Sequence, residues 1–131
     1  MREPLRPEDL ITEKIIGAAI EVHKQLGPGL LESAYQVCLA YEMGLRGIRF
    51  EREKPMPLIY KGITMEQAYR ADFVVEDTII VELKAVKEFE NIHTAQLMSY
   101  LKLADLKLGL LLNFNVKLLK NGGIKRVAIK L

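Results

Sequence analysis

The sequence offers almost no sulfur chemistry. Of its 131 residues one is a cysteine, Cys38, so an internal disulfide is excluded. With two histidines and that single thiol, no Cys/His cluster with zinc-site spacing exists either. Cys38 lies in a helical pattern beside Val37 and Leu39, and the expectation is a small buried residue. Long apolar runs are missing too. None approaches the roughly 20 residues needed to span a bilayer, and MREPLRPEDL lacks the apolar core of a signal peptide. A cytoplasmic protein with no membrane association is expected. Strong charge of one sign is also lacking: the net charge of +2 is too small to announce nucleic-acid binding by itself. Lys117, Lys120, Lys125, Arg126 and Lys130 do make the C-terminal segment basic. A solvated hairpin face and a phosphate-binding patch both remain open there. There is no repeat, low-complexity segment or linker.

What is present fits one ordinary domain over residues 1–131. The length suffices for one core, and the 50% hydrophobic and 27% charged content suits a globular chain. Ile11, Ile15, Ala18, Val22 and Leu26 recur at helical spacing, and Gly27-Pro28-Gly29 ends that helix. A second helix is expected over roughly 30–43, with Leu31, Ala34, Cys38 and Tyr41 inward. Residues 50–54 read as an edge strand, which Pro55 and Pro57 suit. Lys61-Gly62 reads as a hairpin turn. Strands follow over 67–75 and 79–86, then a helix over 91–105 with Leu97, Leu101 and Ala104 on one stripe. Residues 108–116 are almost wholly apolar, as in a strand buried on both faces. Asn121-Gly122-Gly123 turns the chain into a last strand, 124–131. The order is ααβββ(β)αββ: a mixed α/β domain whose sheet is covered by helices.

One strand contradicts its own burial. In VEDTIIVELKAV, Glu82 and Lys84 interrupt an apolar run and point to one face, because strand side chains alternate. The preceding strand carries Asp72 in YRADFVV. If Glu76-Asp77-Thr78 is a three-residue loop, Val75 faces Ile79 and Asp72 faces Glu82, with Cβ atoms about 5 Å apart. Arg70 then lies opposite Lys84. Two carboxylates that close repel, so one takes a proton or a cation sits between them. A hard divalent ion with oxygen ligands, Mg²⁺ or Mn²⁺, suits such a pair, with Lys84 placed to orient or deprotonate water or to offset phosphate charge. A Glu–Lys ion pair on a strand is the plainer alternative.

Two helices add polar residues. His93, Gln96 and Tyr100 share a stripe distinct from the Leu97/Leu101/Ala104 stripe. They either form a solvated face or line a cleft above the carboxylates. Glu32 and Tyr35 lie one turn apart in GLLESAY, where a Glu in the first turn also has a simple dipole role.

Together these blocks resemble a known family. Gly29-Leu-Leu-Glu32-Ser-Ala-Tyr35, VHKQLGPGLLESAY, YRADFVVEDTIIVELKAV, HTAQLMSYLK and LGLLLNFNV look like the GxxExxY protein family of the PD-(D/E)XK nuclease superfamily, over about residues 10–130. The resemblance implies a restriction-endonuclease-like fold, a central mixed sheet flanked by helices. It implies Asp72 as the catalytic acid, Glu82 and Lys84 as the E-x-K, Glu32 as a helix-borne metal ligand, and Gln96 and Tyr100 as a Q-x-x-x-Y motif. Ala71 stands where the superfamily name has proline.

The expectation is therefore a Mg²⁺- or Mn²⁺-dependent phosphodiesterase acting on DNA or RNA. Glu32, Asp72, Glu82 and the Leu83 carbonyl hold the metal. Lys84, Gln96 and Tyr100 serve the chemistry, and Arg70, His93 and Tyr35 contact substrate. The short chain leaves a homodimer open as a way to grip a duplex. The alternatives are a catalytically silent module binding nucleic acid or protein, and a structural ion-pair network. For the network, removing the Asp72 carboxylate destabilises; for a metal site, Asp72→Asn in metal-free buffer is neutral or stabilising.

Overall fold

A computed structural model describes residues 6–130. The elements in order are α1 (Pro7–Leu26), α2 (Glu32–Leu45), β1 (Phe50–Tyr60), β2 (Ile63–Val75), β3 (Ile79–Lys84), α3 (Asn91–Ala104), β4 (Leu108–Asn113) and β5 (Ile124–Ala128). The segment after Lys61-Gly62 is continuous with the one that ends at Val75, so the optional extra strand merges into β2. The last strand stops at Ala128, and Leu131 lies outside the described residues.

Sheet order is β1-β2-β3-β4-β5. β3 and β4 are parallel, joined by α3 as the crossover, and the other neighbours are antiparallel. A mixed five-stranded sheet flanked by helices is the restriction-endonuclease-like architecture expected. β4 is buried throughout because helices cover both faces.

Alternation sorts the two cores. Ile79, Val81 and Leu83 pack with Ile15, Leu39, Met43, Phe73 and Phe114 on the α1/α2 face. Ile80 and Leu111 pack with Leu97, Leu101 and Val74 on the α3 face. Glu82 falls in step with Ile80, so its side chain belongs to the α3 face.

β1 is an edge strand that contains Pro55 and Pro57. Its hairpin with β2 turns at Lys61 and Gly62, both with positive φ (47° and 82°), the conformation a two-residue hairpin requires. β2 pairs with β3 only from Phe73 to Val75; the rest of it has β1 as its strand partner among the described residues. The hairpin thus forms an arm beyond the body of the sheet, with Ile59, Tyr60, Ile63 and Met65 exposed.

α2 is phased differently from expectation. Its buried residues are Tyr35, Gln36, Leu39 and Met43. Leu31 and Tyr41 are 78% and 70% exposed, and Cys38 is half-buried. The real stripe begins with Tyr35 because its ring stacks on Phe114, with centroids 4.5 Å apart.

Candidate active site

The loop between β2 and β3 decides the site. Val75 pairs with Ile79, as a three-residue loop demands. The ladder then runs to Phe73–Val81 and stops. Beyond it, side chains replace main-chain bonds. Leu83 N donates to Asp72 Oδ2 at 2.8 Å, and Asp72 N donates to Glu82 Oε1 at a long 3.4 Å. On the other side of β2, Glu53 has a left-handed φ of 52° and is skipped in the β1 register. Asp72 therefore sits where its strand loses regular pairing with both neighbours.

Glu82 is 6% exposed. Its carboxyl is pushed up to about 9, first by burial, then by the negative charge of Asp72 and a hydrogen bond to it; Lys84 acts in the opposite direction. Burial and the neighbouring carboxylate thus favour the protonated form of Glu82. Tyr100 faces the pair from α3. Its hydroxyl is raised, first by burial and then by the charges of Glu82 and Asp72. Tyr69 of β2 packs on its ring, with centroids 5.0 Å apart. Lys84 is half-buried, and no ion pair holds it among the described residues. Its strand end is fixed by Asn113, its partner on β4. The fully buried Asn113 amide accepts from Val86 N and donates to Val86 O, at 3.1 and 2.8 Å.

An acid on one strand, E-x-K on the next, and a helix closing over both define a comparison with known families. Residues 9–127 match the PD-(D/E)XK nuclease superfamily. The chain belongs to that superfamily. No curated protein and no solved structure matches the chain closely enough to stand as a relative. Nucleases of the PD-(D/E)XK superfamily generally use divalent metal ions.

The remaining expected residues divide. Glu32 opens α2, is exposed, and makes no hydrogen bond or ion pair with the pair. Among the described residues no three His, Cys, Asp or Glu side chains converge as a metal site, so the expected three-carboxylate set is not assembled. Gln96 is exposed on α3.

Two expectations need correction, the role of Tyr35 and the position of Arg70. Tyr35 is fully buried, and its hydroxyl is used up: it donates to Gly27 O at 2.7 Å and accepts from Leu30 N at 3.1 Å. It clasps the turn between α1 and α2, where Gly27 and Gly29 have positive φ, and does not face a substrate. Arg70 does not oppose Lys84, because β2 and β3 part before that point. It pairs with Pro55 of β1, bonds Gln67 Oε1 at 3.1 Å and reaches Glu53 at 4.0 Å. His93 is first a cap of α3: its Nδ1 accepts from Glu90 N at 2.9 Å. In the basic C-terminal segment, Arg126 is tied to Asp9 at 2.8 Å and holds that carboxyl below its ordinary value.

One residue was missed. Gln36 is 8% exposed and donates to Asp72 Oδ1 at 3.1 Å, while Arg52 Nε donates to Gln36 Oε1 at 2.9 Å. A helix stripe phased on Tyr35, Leu39 and Met43 contains Gln36 as its buried polar member, and that phase was the available signal.

Proposed function

We propose that the chain is a divalent-metal-dependent phosphodiesterase that hydrolyses DNA or RNA, with Asp72 and Glu82 at its centre. The observation that carries this is the pairing of two carboxyl groups across the β2/β3 opening, one of them buried and pushed up by that burial and by its neighbour. A hard cation fits that donor set: it would take the place of the Glu82 proton and satisfy both groups, and all-oxygen ligation suits Mg²⁺ or Mn²⁺. When bound, the cation would lower the pKa of a water and neutralise charge on a phosphate oxygen.

The Leu83 carbonyl belongs to the ligand set. The N–H and C=O of one strand residue point the same way, and the Leu83 N–H points at Asp72. Support for Glu32 as a further ligand is its helix phase: it lies four residues before Gln36, on the stripe that turns toward Asp72. Lys84 would orient the attacking water or stabilise charge on the phosphate. Tyr100 would hold the phosphate or water through its hydroxyl, with Gln96 one turn earlier on α3. Arg70, on the β2 arm, and the free Nε2 side of His93 would contact the nucleic-acid backbone. Assignment to the GxxExxY branch is part of the same reading; the Tyr35 clasp on the Gly27–Leu30 turn gives its Gly and Tyr a physical reason. So is a homodimer, supported by the exposed apolar arm. A cytoplasmic setting agrees with the lone Cys38.

The test begins with protein stripped of metal. Calorimetric titration with Mg²⁺ and Mn²⁺ is expected to show saturable binding that Glu82→Ala abolishes. Labelled single- and double-stranded DNA and RNA are then expected to be cut in a metal-dependent way, with Lys84→Ala binding metal but failing to cut. No cation binding by the wild type, with or without oligonucleotide, overturns the proposal. Binding of oligonucleotide and metal without any cleavage returns the silent binding module.

A further inference from the structure

Asp72 is gripped from two elements at once. One oxygen takes the main-chain N–H of Leu83 on β3, and the other takes the Gln36 amide on α2. Two donors from different directions fix the plane of the carboxylate. An ionised carboxylate offers about four lone-pair sites, so these donors leave room for a cation.

The polarity of the Gln36 amide is itself determined. An amide has a donating end and an accepting end, and partners decide which faces where. A guanidinium only donates. Arg52 therefore claims Oε1, at 2.9 Å, and the NH₂ end is left facing Asp72, at 3.1 Å. The arrangement is buried at Gln36, 8% exposed, and reaches solvent at Arg52. Nothing in this arrangement depends on whether Glu82 holds a proton. It is a matter of orientation alone.

We propose that Gln36 is a positioning residue for the cation site, oriented by Arg52, and that it holds the Asp72 carboxylate turned toward Glu82 so that both can ligate one divalent ion. The inference rests on the cation reading above. Gln36 does not touch the metal; it spares the site the cost of ordering Asp72 when the metal arrives. Partners of this kind are worth about 10- to 100-fold in metal affinity. Arg52 acts one step further out and contributes less.

The test is Mn²⁺ binding, measured by calorimetry on the metal-stripped full chain. Gln36→Met keeps the length of the side chain but cannot donate, and is expected to weaken Mn²⁺ binding about tenfold or more. Arg52→Ala frees the amide to turn over and is expected to weaken binding by a smaller factor. Arg52→Lys still donates to Oε1 and is expected to restore wild-type affinity. A purely structural Gln36 would lower the melting temperature and leave affinity alone, so wild-type affinity in Gln36→Met overturns the inference. If Gln36→Met does not fold, the Arg52 variants decide: equal affinity in Arg52→Ala, Arg52→Lys and wild type overturns it. A wild type that binds no Mn²⁺ overturns the cation reading and this inference with it. A wild type that binds Mn²⁺, with loss in Glu82→Ala but none in Gln36→Met, overturns this inference alone.

Discussion

Asp72 Oδ2 stands 2.8 Å from the main-chain nitrogen of Leu83, where a carbonyl of β2 would otherwise continue the ladder. A side chain has taken over a main-chain bond, and the two strands separate from that point. The separation exposes polar edges of β3 to a carboxylate pair inside an otherwise apolar layer.

Metal-free protein is expected to lose stability as pH rises. Glu82 ionises near 4.5 when unfolded and near 9 when folded, so the folded state keeps a proton the unfolded state has lost. Its contribution is full below about pH 4.5 and declines as pH climbs toward 9. By pH 7 the loss is roughly 3 kcal/mol at 1.36 kcal/mol per pH unit. Glu82→Gln removes the titration and is expected to be more stable than wild type at pH 7 by a similar amount. Urea denaturation in EDTA at pH 5 and pH 8 checks the difference; equal slopes with pH for both proteins would refute it.

Divalent metal is expected to reverse that loss. Binding only to the folded state stabilises by about 2.7 kcal/mol at a hundredfold excess over Kd. The rise in Tm with Mn²⁺ should be larger at pH 8 than at pH 6, because the ion competes with a proton. Differential scanning calorimetry reads this directly, and an equal rise in Glu82→Ala would place the ion elsewhere.

Replacing Asp72 by Asn is expected to bring the Glu82 carboxyl down only part of the way. The neighbouring charge goes, but burial is the larger cause and stays. A carbon-13 titration of that carboxyl in metal-free buffer should find it lower than in wild type and still above the ordinary range. The hydrogen bonds to Asp72 also amend the simple stability expectation for this variant. An asparagine nitrogen turned toward the Gln36 NH₂ or the Leu83 N–H sets donor against donor, which offsets the relief of repulsion.

Tyr35→Phe should cost about 1–3 kcal/mol, since it leaves a buried main-chain donor and acceptor without their partner while keeping the stack on Phe114. Chemical denaturation measures it. A change within a few tenths of a kcal/mol would mean that the hydroxyl does not clasp the turn.

Asn113→Ala should destabilise by about 1–3 kcal/mol, because Val86 N loses its partner and Val86 O keeps only the long 3.5 Å bond from Asn115 Nδ2. Cleavage activity should fall further than stability explains, as the chain beyond Lys84 loosens. Single-turnover rates compared at a temperature where both proteins are fully folded make the distinction.

How much of this was legible depended on what kind of residue carried the information. The Lys61-Gly62 turn and the Glu76-Asp77-Thr78 loop are local, and loop length alone set the register that brings Asp72 toward Glu82. The position of α3 follows from the stripe of Leu97, Leu101 and Ala104. The phase of α2 does not, because Leu31 and Tyr41 are large and apolar yet exposed, while Gln36 is polar and buried. Its burial depends on a carboxylate thirty-six residues away. Arg70 was misplaced because a regular ladder was extended past the point where Asp72 interrupts it. Tyr35 looks functional in the sequence because a motif residue has the same appearance whether it touches substrate or holds the turn that presents its neighbours.

The proline-bearing edge has a bearing on solubility. The arm ends in Ile59, Tyr60, Ile63 and Met65, all more than half exposed, on the outermost hairpin of an open sheet. Such a strand invites other chains to add on as further strands and grow into aggregates. Pro55 and Pro57 withhold N–H groups along β1, and the register shift between Met56 and Leu58 bends it, so no long flat template is offered. The same hairpin can therefore present apolar side chains to the solvent and still decline to polymerise through its backbone.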